Sequence, residues 1–251
     1  MALILKSDTA FTDVNIPILY RDMAISAGTL FCYDALDTFS WPSQAAPSGA
    51  AALIDLAQIA NASIDAAAMG WGASGGFVFT SDDADKITLP VSSKLASNVA
   101  SYGFTFWFKP TTVADGLAII GGLGASLTDV QYSFYRDGSI LVVHADNTNI
   151  GQQNGIVAGQ VYQVGITIEL SGSTYTRKIF INGAQITSNT STAPFATPSQ
   201  AAFTFGAGLP GNFSQNGDAF TLFRCHADAL TSRTAAEFIA ADYASGVGRF
   251  S

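Results

Sequence analysis

The sequence predicts an all-β protein whose central part folds as an antiparallel β-sandwich. About ten short stretches between residues 71 and 225 alternate apolar and polar positions, which is the period-2 pattern of strands. Turn-forming residues separate these stretches, and no helical periodicity lies between them. Strands without intervening helices are typical of sandwiches and barrels and not of parallel sheets.

The first segment, residues 1–69, is predicted to form an N-terminal attachment or assembly arm. Residues 11–20 and 29–34 are predicted to be short extended pieces, and residues 41–49 a loop because of their Pro, Ser and Gly content. Apolar residues at helical spacing predict a helix over about residues 50–68. These apolar residues are Leu53, Leu56, Ile59, Ala60 and Ile64.

Two connections in the central region predict hairpins. Asp137-Gly138 and Asn182-Gly183 are dipeptides that favour two-residue hairpin turns. Ser171-Gly172-Ser173 joins two longer predicted strands, 161–170 and 174–181. The remaining predicted strands are 77–80, 86–89, 102–110, 117–120, 130–135, 139–144, 185–189, 201–205 and 219–224.

Large apolar side chains on these strands are predicted to fill the space between the two sheets. Each contributes about 1.5–3 kcal/mol when fully buried, so the set drives folding. Its members are Phe104, Phe106, Phe108, Tyr162, Val164, Ile166, Ile168, Phe203 and Phe205.

A short C-terminal helix over about residues 232–245 completes the sandwich domain, which is predicted to span residues 70–251. Thr231-Ser232 offers an N-cap, and Gly246 is suited to end the helix.

The composition excludes several classes of protein. Of the 251 residues, 48% are hydrophobic and only 12% are charged, which argues against intrinsic disorder. The net charge of −8 argues against nucleic-acid binding and against docking on anionic lipid. Acidic residues interrupt the apolar stretch 50–70, so no transmembrane helix is predicted, and the start MALILKSD does not resemble a signal peptide. Cys32 and Cys225 are expected to be buried free thiols.

Four pieces of the sequence resemble, in order, those of a known family. They are the opening hairpin (GFVFT through ITLP, residues 76–90), the core strand FTFWFKP (104–110), the hairpin KIFING (178–183), and a final strand followed by a helix (219–243). Together they resemble a concanavalin A-like jelly roll of the laminin-G type. The chain departs from this pattern at 161–165, where the family usually has a tryptophan.

The resemblance implies calcium or glycan binding, since laminin-G-type domains often bind both. The candidate calcium ligands are Asp82, Asp83 and Asp85, because calcium requires several oxygen ligands. A solvated hairpin tip is the alternative for this acidic cluster. The candidate glycan-binding residues are Asp146, Asn147, Asn149, Tyr132, Tyr135, Asn212 and Asn216. Polar loops at the ends of a sandwich are the alternative for most of these.

No catalytic residues are predicted. Residues 72–76 match G-x-S-x-G, but a nucleophile elbow needs a strand before it and a helix after it. Residues 206–211 match G-x-G-x-x-G, but a loop and not a helix is predicted to follow. The two glutamates, Glu169 and Glu237, lie on different elements, unlike a glycosidase pair. His144 and His226 have neither a Cys partner nor a nearby acid at metal-ligand spacing. A structural role is therefore expected for both histidines.

The low charge and the abundance of Ala, Gly, Ser, Thr and Asn favour a subunit of an assembly. Together with an arm that has no counterpart in laminin-G domains, the architecture resembles bacteriophage virion proteins, either tail appendages or capsid decoration proteins. The expected function is therefore a non-enzymatic virion component, assembled in the host cytoplasm without a resident cofactor. It would contact other virion subunits through residues 1–69 and form a homo-oligomer, expected to be a trimer. The alternatives are a carbohydrate-binding adhesin and a glycan-active enzyme.

Overall fold

The computed structural model describes residues 22–66, 68–79, 85–90, 100–111, 117–123, 130–137, 140–145, 148–192, 203–206 and 220–250. Within these ranges, no helix combines the length and the apolar character that a membrane span requires.

Within the described residues, two antiparallel sheets of eight strands each pack together. Sheet A contains β1 (Thr29–Asp34), β4 (Gly70–Trp71), β5 (Phe77–Phe79), β7 (Ser101–Pro110), β12 (Tyr162–Ser171), β13 (Thr174–Ile181), β14 (Ala184–Ser191) and β16 (Phe220–Asp228). Its strand order is β14-β13-β12-β7-β16-β5-β4, and β1 pairs with β16 beside β5.

Sheet B contains β2 (Gly49–Leu53), β3 (Ala62–Ala66), β6 (Lys86–Thr88), β8 (Leu117–Leu123), β9 (Val130–Asp137), β10 (Ile140–Ala145), β11 (Thr148–Gln153) and β15 (Thr204–Phe205). Its strand order is β11-β10-β9-β8-β15-β6-β3-β2. The predicted antiparallel sandwich is confirmed.

The two predicted hairpins are confirmed, and the strands joined by residues 171–173 also form an antiparallel pair. Antiparallel pairing joins β9 to β10, β12 to β13 and β13 to β14. Asn182 and Gly183 both have positive φ angles, 50° and 78°, as a type I′ turn requires. This turn chemistry sets the register of the β13–β14 pair.

The predicted core is confirmed, since all nine residues belong to one buried cluster between the sheets. Phe106 of sheet A meets Phe205 of sheet B edge to face, with ring centroids 5.7 Å apart. Phe104 also lies against Phe205, at 6.5 Å. These contacts join the two sheets through aromatic packing.

A helix, α1 (Ala235–Gly246), lies on the outer face of sheet A, close to the predicted 232–245. Thr234 caps it, and Glu237 completes a capping box with Thr234. Two glycines of the sheet allow the helix to approach closely. A Cβ on Gly103 would stand 2.6 Å from Phe238, and one on Gly165 would stand 2.7 Å from Ile239.

The helix predicted over 50–68 is wrong, because this segment forms β2 and β3 with a loop between them. The buried carboxylate of Asp55 explains the loop. It accepts hydrogen bonds from the backbone N–H groups of Ala57, Ile59 and Ala60 at 2.9–3.1 Å, and from Cys32 of β1 at 2.8 Å. An aspartate that binds nearby backbone groups in this way competes with helix formation.

The boundary predicted at residue 69 does not separate an arm from the sandwich in the described part of the chain. β1 belongs to sheet A, and the β2–β3 pair extends sheet B through β6. Residues 1–21, including the extended piece predicted over 11–20, lie outside the described residues. The attachment role therefore stays a prediction for that segment.

We expect Asp55→Ala to lower the free energy of unfolding by about 3 kcal/mol or more, because it leaves four backbone donors without their acceptor. Urea unfolding measures the change. The control is Asp65→Ala in β3, whose side chain is 63% exposed and pairs only with Lys86. Equal effects of the two substitutions would contradict this account of the loop.

Candidate functional site

The outer face of sheet A holds a fully buried guanidinium, that of Arg224 in β16. Its Nη1 lies 2.6 Å from the Asp22 carboxylate and 3.2 Å from that of Asp34. Its Nε lies 2.9 Å from a carboxylate oxygen of Asp242 in α1. Arg224 thus connects β16, β1, α1 and the beginning of the described chain.

Asp242 receives further hydrogen bonds from sheet A. The indole Nε1 of Trp107 donates at 3.0 Å and the amide Nε2 of Gln163 at 2.8 Å. Burial raises the pKa of Asp242, but attraction to Arg224 and the hydrogen bonds from His226 and Gln163 outweigh it, so that this pKa lies well below its usual value. The carboxylate is therefore ionised although it is buried.

His226 lies next to this carboxylate, also fully buried. Its Nδ1 is 3.3 Å from Asp242, and its Nε2 is 3.3 Å from the Thr29 hydroxyl and 3.4 Å from Nη2 of Arg233. A guanidinium can only donate, so Nε2 is the acceptor and Nδ1 carries the proton. Burial lowers the pKa of His226 and, with the positive charges of Arg224 and Arg233, outweighs the opposing effect of Asp242, so that the imidazole is neutral near pH 7.

The order Thr29–His226–Asp242 has the connectivity of a hydroxyl nucleophile, a base and an orienting acid. Thr29 is only 4% exposed, however, and its hydroxyl donates to Asp228 at 3.3 Å. A substrate would have no access to this hydroxyl, and its proton is directed away from the imidazole. The Thr29 hydroxyl is therefore not placed to act as a nucleophile, and the cluster joins β1, β16 and α1 through buried polar contacts.

Two more arginines complete the network. Arg233 contacts Asp228 at 2.5 Å, and Arg249 contacts Asp34 at 2.9 Å. The sequence predictions did not include this network. Its one local signal is the alternation of Arg224, His226 and Asp228 within an otherwise apolar strand, because their partners are distant in the chain.

A cleft of about 430 Å³ opens beside the network. Asp22, Met23, Ala241, Ala244, Ser245 and Arg249 line it. The carboxylate of Asp22 in this cleft already has partners. Both of its oxygens lie 3.0 Å from the Ser245 hydroxyl, which donates to them, and one oxygen also binds Arg224.

The outer face of sheet B carries hydroxyl residues at several described positions, beside Ala50 and Ala52 of β2. Ser63 is exposed, and Thr88 and Thr204 are half-buried, while the alternate residues Ile64 and Ile87 face the core. Ser63 is paired with Thr88, and Thr88 with Thr204, so the three residues form one row across the sheet. By register, this row continues through Gly121, Ser133, His144 and Asn149.

Three of the predicted glycan-binding residues lie in strands of sheet B. Asn149 of β11 is part of this row. Tyr132 and Tyr135 lie in β9, where they pair in register with Ala145 and Val142 of β10. The other four, Asp146, Asn147, Asn212 and Asn216, lie outside the described residues. The sequence did not single out Ser63, Thr88 or Thr204.

The predicted calcium ligands are only partly described. Asp85 is fully buried, and its carboxylate accepts the Ala68 N–H at 2.8 Å, so it does not lie at a solvated hairpin tip. Asp82 and Asp83 lie outside the described residues. Among the residues that are described, no group of three or more His, Cys, Asp or Glu side chains is arranged to hold a metal ion.

The remaining motifs have structural surroundings. The G-x-S-x-G segment connects β4 to β5, so a strand follows it where a nucleophile elbow needs a helix. Gly206 of the G-x-G-x-x-G match has no room for a side chain, since a Cβ there would stand 2.4 Å from Phe79. Glu169 pairs with Lys178 at 2.6 Å, and Glu237 caps α1. Both cysteines are buried free thiols, as predicted.

The free energy of unfolding should fall as the pH drops below 6.5, the ordinary pKa of histidine. Below this pH, His226 binds a proton in the unfolded chain more readily than in the folded one. The slope reaches at most about 1.4 kcal/mol per pH unit. Contributions from Asp22, Asp228 and Asp242, whose pKa values are lowered, are lost only below 3.8. Urea unfolding at about pH 7.5 and about pH 5 should show that His226→Gln reduces the slope, with His144→Gln as the control. An unchanged slope in His226→Gln would exclude this role.

A family model described as the concanavalin A-like lectin/glucanases superfamily, Laminin_G_3, matches residues 81–233. A search of curated proteins found no match to the chain.

Solved structures share the fold at low sequence identity. The botulinum neurotoxin serotype D binding domain has a TM-score of 0.60 and 14% identity, covering 87% of this chain and 52% of that chain. The serotype D ligand-binding domain in complex with N-acetylneuraminic acid has the same TM-score and identity. A Trypanosoma rangeli sialidase in complex with 2,3-difluorosialic acid has a TM-score of 0.65 and 12% identity, covering 91% and 35%.

The chain thus spans about half of the neurotoxin domains and about a third of the sialidase. At these identities the likeness concerns the fold, which agrees with the match to residues 81–233. The chain belongs to the Laminin_G_3 family of the concanavalin A-like lectin/glucanase superfamily.

Proposed function

We propose that this protein is a non-enzymatic structural component of a bacteriophage virion, a tail appendage or a capsid decoration. Its lectin-like sandwich would contact glycans on the host surface through the outer face of sheet B. The observation that carries the glycan part is the row of hydroxyl residues Ser63, Thr88 and Thr204 on that face.

The two outer faces of the sandwich are not equivalent. On sheet A, α1 covers Gly103, Trp107 and Gly165, and the ion network engages Arg224, His226 and Asp228 of β16. On sheet B, the three hydroxyl residues keep partial exposure. Hydroxyl groups both donate and accept hydrogen bonds, so a row of them matches the hydroxyl groups of a sugar.

The known neighbours support the choice of the first ligands. One neurotoxin domain was solved with N-acetylneuraminic acid, and the sialidase with a difluorinated sialic acid. Sialylated and neutral host glycans are therefore the first probes for this chain. Its net charge of −8 favours the neutral ones.

The virion part of the proposal rests on composition and on the N-terminal segment. Only 12% of the residues are charged, which favours dense contacts between subunits over a monomer in solution. Residues 1–21 precede Asp22, which is held on the outer face of sheet A, away from the proposed glycan face. In this arrangement one side attaches to the particle or to other copies, and the opposite side faces the host.

A carbohydrate-binding adhesin outside a virion is the second candidate, because the same face of sheet B would serve it. The two candidates differ in whether the protein is found in purified particles.

We expect Thr88→Ala/Thr204→Ala to weaken glycan binding about tenfold, because two neutral hydrogen bonds of ordinary strength are lost. A glycan array would identify the ligand, and calorimetry would measure the dissociation constant. Ser188→Ala, at an exposed position of β14 in sheet A, is the matched control. Failure to bind any host glycan, or full affinity in the double variant, would overturn the glycan part.

Deletion of residues 1–21 is expected to prevent incorporation into particles while the sandwich stays folded, because those residues are the proposed attachment segment. Quantitative mass spectrometry of purified particles measures incorporation, and urea unfolding of the purified chain checks its stability. Substitution of Asp22 by Asn, with residues 1–21 kept, shows how much of any effect comes from destabilisation. Normal incorporation of the deleted chain would refute an attachment role for this segment.

A further inference from the structure

The connection between β11 and β12 contains Asn154-Gly155, one of three Asn-Gly pairs in the sequence. In such a pair the backbone nitrogen of glycine can attack the side-chain amide of asparagine, because glycine has no Cβ to obstruct the approach. The reaction needs an asparagine side chain that can turn and a glycine N–H that no hydrogen bond holds. The fold therefore decides which pair reacts. Of the other two pairs, Asn182-Gly183 is described and Asn216-Gly217 lies outside the described residues.

Asn154 and Gly155 meet both conditions. Each residue is exposed, and neither lies in a strand or a helix. Within the described part of the chain, the side-chain amide of Asn154 and the N–H of Gly155 have no hydrogen-bond partner. Beyond its chain neighbours, no described atom lies within 4 Å of where a Cβ on Gly155 would stand, so the space beside the nitrogen is open.

Asn182-Gly183 is the same dipeptide in a different environment. The Oδ1 of Asn182 accepts the backbone N–H of Gln163 at 2.9 Å, and the N–H of Gly183 donates to Oε1 of Gln163 at 3.0 Å. Gln163 is itself fully buried, and its Nε2 donates to Asp242 at 2.8 Å. One fixed residue thus engages both reacting groups, so the folded state protects this pair.

We propose that Asn154 is a site of spontaneous deamidation in the folded protein. The Gly155 nitrogen forms a bond to Cγ of Asn154, and the Cγ–Nδ2 bond breaks. Ammonia leaves and takes up, through solvent, the proton of the Gly155 nitrogen. The cyclic imide that results then adds a water molecule, which opens the ring at either of its carbonyl groups. The products are aspartate and isoaspartate, and nothing is oxidised or reduced.

Both products change the connection between the two sheets. Each adds a negative charge beside the end of β11, in a chain whose net charge is already −8. Isoaspartate also routes the backbone through its Cβ. This lengthens the chain between Gln153, the last residue of β11, and Ile156, which is buried in the core. Formation of isoaspartate is therefore expected to lower the free energy of unfolding.

The test compares the two described pairs within one molecule. The full chain is incubated in mildly alkaline buffer, and peptide mapping by mass spectrometry follows the conversion of amide to acid at each asparagine. We expect Asn154 to react at least about tenfold faster than Asn182, because the Asn182 site must first break two hydrogen bonds. In the chain unfolded in urea, the two rates should come within a few-fold of each other, since only local sequence then separates the pairs.

Gly155→Ala tests the attacking nitrogen, because the added methyl group obstructs the approach to Asn154. The matched control is Gly159→Ala in the same connection. Both glycines have positive φ angles, 76° and 79°, and open space at the Cβ position, so the two substitutions carry similar backbone strain. We expect the rate at Asn154 to fall at least several-fold in Gly155→Ala and to be unchanged in Gly159→Ala. Urea unfolding shows that each variant is folded.

If Asn154 keeps its amide in the folded chain over the time in which the unfolded chain loses it, the proposal is wrong. Equal rates at Asn154 and Asn182 in the folded chain would also overturn it. If Gly155→Ala and Gly159→Ala react equally fast at Asn154, the Gly155 nitrogen is not the attacking group. The test involves neither a glycan nor a particle, so its outcome is independent of the proposed function.

Discussion

The buried guanidinium of Arg224 is the constraint on which the arrangement of sheet A depends. A positive charge removed from water is tolerated only where opposite charges and hydrogen bonds replace the solvent. Three carboxylates do so here, from Asp22, Asp34 and Asp242. They come from three separate parts of the chain, so the charge cannot be satisfied unless β1, β16 and α1 are all in place. Breaking one such pair typically costs about 3–5 kcal/mol, because the remaining charge stays buried.

This network gives the sandwich two unlike sides. α1 covers the β7 and β12 part of the outer face of sheet A, and its Tyr243 stacks on Trp107 with ring centroids 5.7 Å apart. The outer face of sheet B has no helix over it among the described residues, and it presents hydroxyl groups in register across three strands. The same fold hosts many functions, so the proposed ligand depends on this face and not on the family alone.

The edges of the sheets provide a second kind of surface. Faces recognise ligands through side chains, whereas edges recognise other strands through the backbone. β2 is an edge of small, neutral residues, and it belongs to the segment that the sequence assigned to an arm. The expected self-association through residues 1–69 stays a prediction, and the described part of that segment forms strands of the sandwich and not a separate arm.

The sequence alone determined the features that depend on near neighbours in the chain. Alternation predicted the core strands, Asn182-Gly183 predicted its hairpin, and the C-terminal helix was placed within a few residues of its observed bounds. The helix predicted over 50–68 failed because the buried carboxylate of Asp55 binds the backbone of a loop, and burial depends on the surrounding sheets. Only the tertiary structure decided the ion network and the hydroxyl row, because their members are far apart in sequence. Asp22 and Arg224 are about two hundred residues apart. Ser63 and Thr204 come into one row only through the pairing of their strands with β6. Local patterns specify which segments become strands, but strand order and the partners of a buried charge are set by non-local packing.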